Sequence, residues 1–307
     1  MILSNTLQQK IILILFLFST IFSLSAQSQK NILEDMQGLS YEEGLVFEVE
    51  GYTIHVEKNK ASLDKKGIDK IKKKYEIKDV LSEYRDNRWK WENYVIEGED
   101  MDRKNPKVFT RKLCYLIPET DNMMTVVSFE SPNRKDTLME QAFMEAFFNR
   151  QINEYLNDSW NAEEINFAGR KIPLGNICAW ISPCNVHCPA FGQISWSLFR
   201  TKEDAEINNN ALFLINKYSG THNVISEEND INVIFEGSPA KAKRIIYKLK
   251  RSKILLGGRN LLAVYYLVQK VRGKYMSCIL SHYIEDKDNY RLAPLLEEVM
   301  TLNNELN

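Results

Sequence analysis

The sequence predicts an α+β protein of antiparallel sheets with flanking helices, and suggests two related lobes. Three observations predict it. Strand-like segments follow one another directly, as at Val46–Val56 and Leu261–Tyr283, instead of alternating with helices. Amphipathic helical patterns fall at the ends of such runs, as at Leu138–Phe147 and Leu292–Met300. The order of these segments then repeats in the second half. The 44% hydrophobic and 26% charged residues are ordinary globular values, which excludes a disordered or collagen-like chain. A formal net charge of −1 gives no chain-wide attraction to nucleic acid.

The first element is a leader. Lys10 precedes an apolar stretch from Ile11 to Phe18, then small residues, Ser23, Ser25 and Ala26, and the chain turns polar at Gln27. This charged, apolar, small-residue order is the secretory signal pattern. The apolar stretch is shorter than the ~20 residues of a spanning helix. The reading is a signal peptide over 1–26, an N-terminal lobe over 27–158 and a C-terminal lobe over 159–307. The protein is then exported, to the periplasm or the exterior, and no transmembrane helix remains after signal removal.

In the N-terminal lobe, Val46–Val56 alternates around Gly51 and predicts a hairpin. Ile68, Ile71 and Tyr75 have helical spacing, and Ile77, Val80, Leu81 and Tyr84 continue the stripe with a phase slip. Arg88–Ile96 reads as a strand. Val108–Ile117 and Met123–Phe129 form a second hairpin, and Leu138–Phe147 an amphipathic helix. In the C-terminal lobe, Glu164–Leu174 is a short strand, a glycine and another apolar segment. Ile177–Ile181 and Gln193–Phe199 read as strands around a cysteine loop. Ala211–Ile215 and Ile231–Phe235 are further strand-type runs. Leu261–Val268 and Tyr275–Tyr283 make a hairpin about Arg272-Gly273, and Gly257-Gly258 marks another turn. Leu292, Leu295, Leu296, Val299 and Met300 close the chain as a helix. An internal duplication would set Gly51 opposite Gly169 and Tyr115-Leu116 opposite Tyr266-Leu267.

Export permits disulfides. Cys178, Cys184 and Cys188 cluster around Pro183 and Pro189, and one disulfide is expected among them. Cys178–Cys188 would staple the flanking strands, and Cys184–Cys188 would close a tight loop. Cys114 and Cys278 fit buried free thiols or one distant pair. The run Cys184-x-x-x-Cys188-Pro189, with His187 inside, resembles the motif of exported copper-handling thioredoxin-like proteins. That resemblance implies a metal or redox site on Cys184, His187 and Cys188. It covers six residues, and the thioredoxin strand–helix–strand pattern does not precede it.

No HExxH, GxSxG, SxxK or nucleotide-loop sequence occurs, so no catalytic residue and no cofactor is assigned. Cys278 and His282 are four strand residues, ~13 Å, apart and form no dyad. Two segments are strongly basic. Lys58–Lys78 holds nine lysines against Asp64, Asp69 and Glu76; Lys241–Lys253 holds seven lysines and arginines and no acid. Ser238-Pro239 offers a helix start before the second, with charges opposite an Ala242, Ile245, Ile246 and Leu249 stripe; a strand through Ile245, Tyr247 and Leu249 is the other reading. Lys241, Lys243, Arg244 and Lys248 are the candidate anion-binding residues. The function read from these features is a non-enzymatic exported binding module associated with the cell envelope. Its partner would be an anionic envelope glycan, lipid or protein. The alternatives are an exported hydrolase with a site of scattered residues, and the metal or thiol-redox protein on Cys184, His187 and Cys188.

Overall fold

The computed structural model describes residues 32–101, 108–120, 122–157, 159–219, 223–249, 260–287 and 291–302. The leader, His222, Gly257-Gly258 and the end of the second basic segment lie outside the described residues. The described residues divide into two compact units, one of residues up to Met36 with Asp136–Glu154, the other of those within Gln37–Lys135 and from Tyr155 onward.

The larger unit opens with a three-strand meander, β1 (Gln37–Tyr41), β2 (Gly44–Val49) and β3 (Tyr52–Asn59). Glu50 and Gly51 both have positive φ, 47° and 75°, which is the two-residue turn that matches strand twist. A side chain on Gly51 would also stand 2.7 Å from Asn208 Nδ2, so glycine is needed twice over. Helix α1 (Lys65–Lys74) follows, capped by Asp64, whose carboxylate accepts from Gly67 N–H at 2.8 Å. A four-strand meander comes next: β4 (Asp79–Tyr84), β5 (Tyr94–Met101), β6 (Phe109–Thr120) and β7 (Met123–Pro132). β7 returns beside β3. In the smaller unit, helix α2 (Thr137–Phe148) is capped by Asp136, which accepts from Leu138 and Met139 N–H. Back in the larger unit, β8 (Leu156–Asn157) adds in parallel to β1, giving the order β4-β5-β6-β7-β3-β2-β1-β8.

A small hairpin, β9 (Glu164–Phe167) and β10 (Arg170–Pro173), stands as its own two-stranded sheet. The second large sheet begins with β11 (Ala179–Ser182), β12 (Asn185–Cys188) and β13 (Gly192–Phe199). Helix α3 (Lys202–Ser219) leads to β14 (Asn223–Phe235), β15 (Ser238–Leu249), β16 (Leu261–Val271) and β17 (Lys274–Ile284). A single turn, α4 (Pro294–Glu297), precedes β18 (Met300–Leu302). The order is β11-β12-β13-β17-β16-β15-β14-β18. Seven strands in each large sheet therefore follow one plan: three-strand meander, helix, four-strand meander, last strand beside the third.

Packing explains which faces are apolar. Ile71 of α1, with Tyr75 and Ile77 beyond its end, packs on Ile96, Cys114, Leu116 and Val126 of the first sheet. One face of the second sheet, with Trp196, Phe235, Tyr265 and Leu280, is covered by Phe167 and Ile172 of the small hairpin and joined by Leu39 and Val46 of the first sheet. Phe167 meets Trp196 edge-on at 5.4 Å. Its other face packs Ile245, Tyr247, Val264 and Tyr266 against Phe213 of α3.

On the first sheet, burial pushes the Glu97 carboxyl up. Lys135, at 2.7 Å, and Arg111 outweigh that burial and hold it at about 2. Its folded pKa thus lies below the usual carboxylate value of about 4.3. Its contribution to stability is complete above that value and is lost as pH falls toward about 2. The urea midpoint of the wild type is expected to fall over this window, and Glu97→Gln to flatten the fall; an unchanged acid limb would refute the role.

Several expectations are corrected. The balance is toward strand, with antiparallel sheets dominant and few helices. Ala211–Ile215 lies in helix α3, not a strand. Arg88–Trp91 is turn, and the strand begins only at Tyr94. Ile77 precedes, and Val80–Tyr84 forms, the edge strand β4 instead of prolonging a helix. The cysteine loop is itself a strand, β12. The C-terminal apolar residues split between α4 and β18, because Pro294 starts a new turn and Met300 pairs with Phe235. The basic segment from Lys241 is strand β15, central between β14 and β16, with Ala242 and Ile246 buried on one face and Ile245 and Tyr247 on the other. Gly169 turns the small hairpin, so the counterpart of the Gly51 turn in the shared plan is the β12–β13 turn, not Gly169.

Candidate functional site

Helix α3 starts where Thr201 accepts from Asp204 N–H at 3.1 Å and donates back to its carboxylate at 2.7 Å. This reciprocal cap, with Glu203 and Asp204 in the first turn, fits the helix N-terminus electrostatically. The helix is pinned to the sheet by buried amides. Asn209 donates to the Leu267 carbonyl at 3.2 Å and to Ser277 Oγ at 3.1 Å, and Ser277 donates to Asn208 at 3.0 Å. The helix thereby stands off the outer strands and leaves a cleft of about 550 Å³. Lys202, Glu206, Asn210 and Phe213 form its helix wall; Asp230, Lys241, Lys243 and Val268 form its strand wall.

The cleft is cationic at its strand wall. Strand alternation sends Lys241 and Lys243 to the α3 face, while Ala242 is buried on the other. Lys243 lies 3.2 Å from Asp230 and 5.5 Å over the Phe213 ring. Lys217 covers the same ring at 5.2 Å and pairs with Glu228 at 2.6 Å. Lys202 pairs with Glu206 at 3.1 Å. Lys241 has no ion pair among the described residues.

The structure separates the four candidate anion-binding residues. Lys241 and Lys243 line the cleft. Arg244 and Lys248 leave β15 on the opposite face, where Arg244 pairs with Glu227 and donates to Asn229 at 3.2 Å. A helix would have gathered these charges; a strand divides them by parity. Neither Lys202 nor Phe213 stands out in the sequence, because the Ala211–Ile215 run by itself has strand character; Thr201-x-x-Asp204 is the local signal that starts their helix.

Cys178 and Cys188 form the disulfide, with Cα atoms 4.2 Å apart. Ala179 faces His187 across β11–β12, so Cys178 falls opposite Cys188. Cys184 stands at the other end of β12, about four strand residues or ~13 Å away, which removes the Cys184–Cys188 alternative. It is buried and outside the disulfide, and its backbone N–H donates to Glu48 at 3.1 Å. Burial pushes the Glu48 carboxyl up, against the opposing contacts from Ser182 and Cys184. The trio Cys184, His187 and Cys188 is not assembled. Cys188 is oxidised to its partner, and alternation turns His187 away from the buried face that holds both cysteines. Among the described residues no group of three His, Cys, Asp or Glu side chains could hold a metal ion. Cys114 and Cys278 are free and sit in different sheets; burial pushes both thiols up. His282 is buried against Tyr265, 3.5 Å from its hydroxyl.

The densest ionisable cluster elsewhere surrounds Glu57. Burial pushes its carboxyl up, but Lys74 at 2.6 Å, Tyr41 at 2.5 Å and Tyr75 at 2.6 Å bring it below the usual range. These partners saturate the carboxylate, so the cluster ties β1, β3 and the end of α1 together. Trp180 and Trp196 are buried in the core.

No protein-family model and no curated protein matches the chain. Among solved structures it is similar to the di-domain ARO/CYC StfQ from the steffimycin biosynthetic pathway. The identity is 7% and the TM-score 0.17, over 80% of this chain and 91% of that one. A likeness at this level carries no inference about fold or chemistry. Among the described residues no helix is long and apolar enough to cross a membrane.

Proposed function

We propose that this is an exported, non-enzymatic binding module of the cell envelope, and that the cleft beside α3 holds an acidic segment of an envelope glycan. The observation that carries this reading is Lys241, an ammonium directed into a 550 Å³ cleft without an acid of its own among the described residues. Lys243 stands two residues along the same face. The Asn210 amide on the facing helix wall offers hydrogen bonds to sugar hydroxyls, while the lysines take carboxylates or phosphates. The apolar leader and the Cys178–Cys188 disulfide both favour an oxidising, exported setting.

We also infer that the two lobes, 27–158 and 159–307, descend from one duplicated unit. The common seven-strand order supports this, as does the placement of Tyr115-Leu116 in β6 and Tyr266-Leu267 in β16, each in the third strand of its four-strand meander.

Titration calorimetry with a uronic-acid oligosaccharide tests the cleft. Binding is expected to weaken as salt rises. Lys241→Ala should weaken it about tenfold, the low end for losing a hydrogen bond to a charged group. Equal affinity in Lys241→Ala and the wild type would reject the cleft as the site.

A further inference from the structure

The cleft leaves the first basic segment without a role. Its lysines divide into two sets on α1 and the chain beside it. One set is neutralised: Lys58 pairs with Glu119 at 3.2 Å, Lys72 with Glu83 at 2.7 Å, Lys74 with Glu57 at 2.6 Å and Lys78 with Asp100 at 3.1 Å. The other set is not. Among the described residues Lys60, Lys65, Lys66 and Lys73 form no ion pair, and Lys70 gives its ammonium to the Lys60 carbonyl at 2.7 Å. Lys66, Lys70 and Lys73 recur at i, i+4 and i+7, about 110° round the helix from the buried Gly67 and Ile71, and share one exposed stripe. Asp64, which caps the helix, acts on Lys66, and Asp69 stands three residues after Lys66 and four before Lys73, so the stripe keeps a net positive charge with one acid on its flank.

Like charges at this spacing weaken an isolated helix by a few tenths of a kcal/mol per pair. The fold keeps the stripe through the Asp64 cap and the packing of Ile71, so the charge concentration is not explained by helix stability. An exposed apolar group accompanies it. β4 is an edge strand, and its Leu81 is the extra residue of a bulge between Val80 and Ser82. Leu81 is 62% exposed, the highest value among the large apolar side chains described. The Lys72–Glu83 pair ties α1 to this strand.

We propose that the outward stripe of α1, together with Leu81, is a docking surface for the headgroups of an anionic lipid bilayer. Ammoniums on long, unpaired side chains suit mobile headgroups, which need no fixed carboxylate opposite each lysine. A protruding leucine suits the acyl boundary just beneath them. The surface is separate from the cleft and does not rest on it.

Co-sedimentation with vesicles tests the proposal, using phosphatidylcholine alone and phosphatidylcholine with a third phosphatidylglycerol. The full chain is expected to bind the anionic vesicles, to leave the neutral ones, and to dissociate in high salt. Each lysine near the surface is worth roughly fivefold, so Lys66→Gln, Lys70→Gln and Lys73→Gln together should weaken binding about a hundredfold. These residues are exposed, and an unchanged circular-dichroism spectrum would show that the fold is intact. Leu81→Ser should weaken binding severalfold at every salt concentration. Lys241→Ala, outside the surface, should leave vesicle binding unchanged. Equal binding to both vesicle types, or an unaffected triple variant, would overturn the proposal. So would a preference for soluble polyglutamate over the anionic vesicles, which would assign the stripe to an acidic protein.

Discussion

Glu50→Ala is expected to destabilise the protein by about 3–5 kcal/mol, read as a drop in urea midpoint at unchanged slope. Glu50 is 7% exposed and sits in the β2–β3 turn. Its carboxylate accepts from Arg200 at 2.7 and 2.8 Å and from Arg134 at 3.1 Å. Arg134 is itself buried, donates to the Glu50 carbonyl and to Asp204 at 3.2 Å, and lies over the rings of Tyr52 and Phe199 at 5.7 and 5.3 Å. Removing the carboxylate takes from Arg134 and Arg200 the acid they share. The cost is that of a buried guanidinium left with fewer partners, which exceeds the net worth of the pair. The cluster joins the first sheet to the end of β13 and the start of α3. Arg200, more exposed than Arg134, should matter less: Arg200→Ala is expected to cost under half as much. A loss below about 1 kcal/mol for Glu50→Ala would mean that water replaces the carboxylate and that the cluster does not hold these elements together.

Replacing Cys178 and Cys188 together by alanine is expected to remove about 2–3 kcal/mol. The estimate follows from the short loop closed by residues ten apart. The effect should be as large as it is because β11 is a four-residue edge strand that pairs with β12 alone among the strands of its sheet. Dithiothreitol should reproduce it in the wild type and leave the double variant unchanged. Counting thiols in denaturant should give three before reduction and five after it, from Cys114, Cys184 and Cys278 and then all five cysteines. Five thiols before reduction would refute the bond.

The Glu50 junction depends on residues 84 and 150 positions apart, a separation at which local sequence patterns carry no signal. Hairpins were legible because their signals are local. Alternation on both sides of Gly51 or Arg272-Gly273 specifies strand, turn and strand within about twenty residues. The helix at Leu138–Phe147 is legible for the same reason, since its apolar period lies within one short run. The disulfide was narrowed to three cysteines by spacing, but only the β11–β12 register put Cys178 opposite Cys188.

The candidate cleft was half legible. Lys241 and Lys243 stood out by charge, and Arg244 and Lys248 were grouped with them because a helix would present all four on one side. Tyr247 and Ile245 decide otherwise. They bury against Tyr266 and Phe213, and a strand between two others satisfies every backbone group that a buried helix end would leave open. Three asparagines, Asn208–Asn210, made α3 a poor helix on propensity. Two of them prove to be buried tertiary donors and acceptors, with partners in β16 and β17 nearly sixty or more residues away.

The sequence by itself determined what depends on near neighbours. These are the antiparallel hairpins, the charge segments and the cluster that holds the disulfide. Tertiary structure alone decided the common strand order of the two large sheets, the Glu50–Arg134–Arg200 junction and the faces on which the lysines emerge. The reason is the period of the backbone. A lysine's side in a helix or a strand differs by 100° or 180° per residue, and which of the two periods applies at Lys241 is settled by the strands on either side of it.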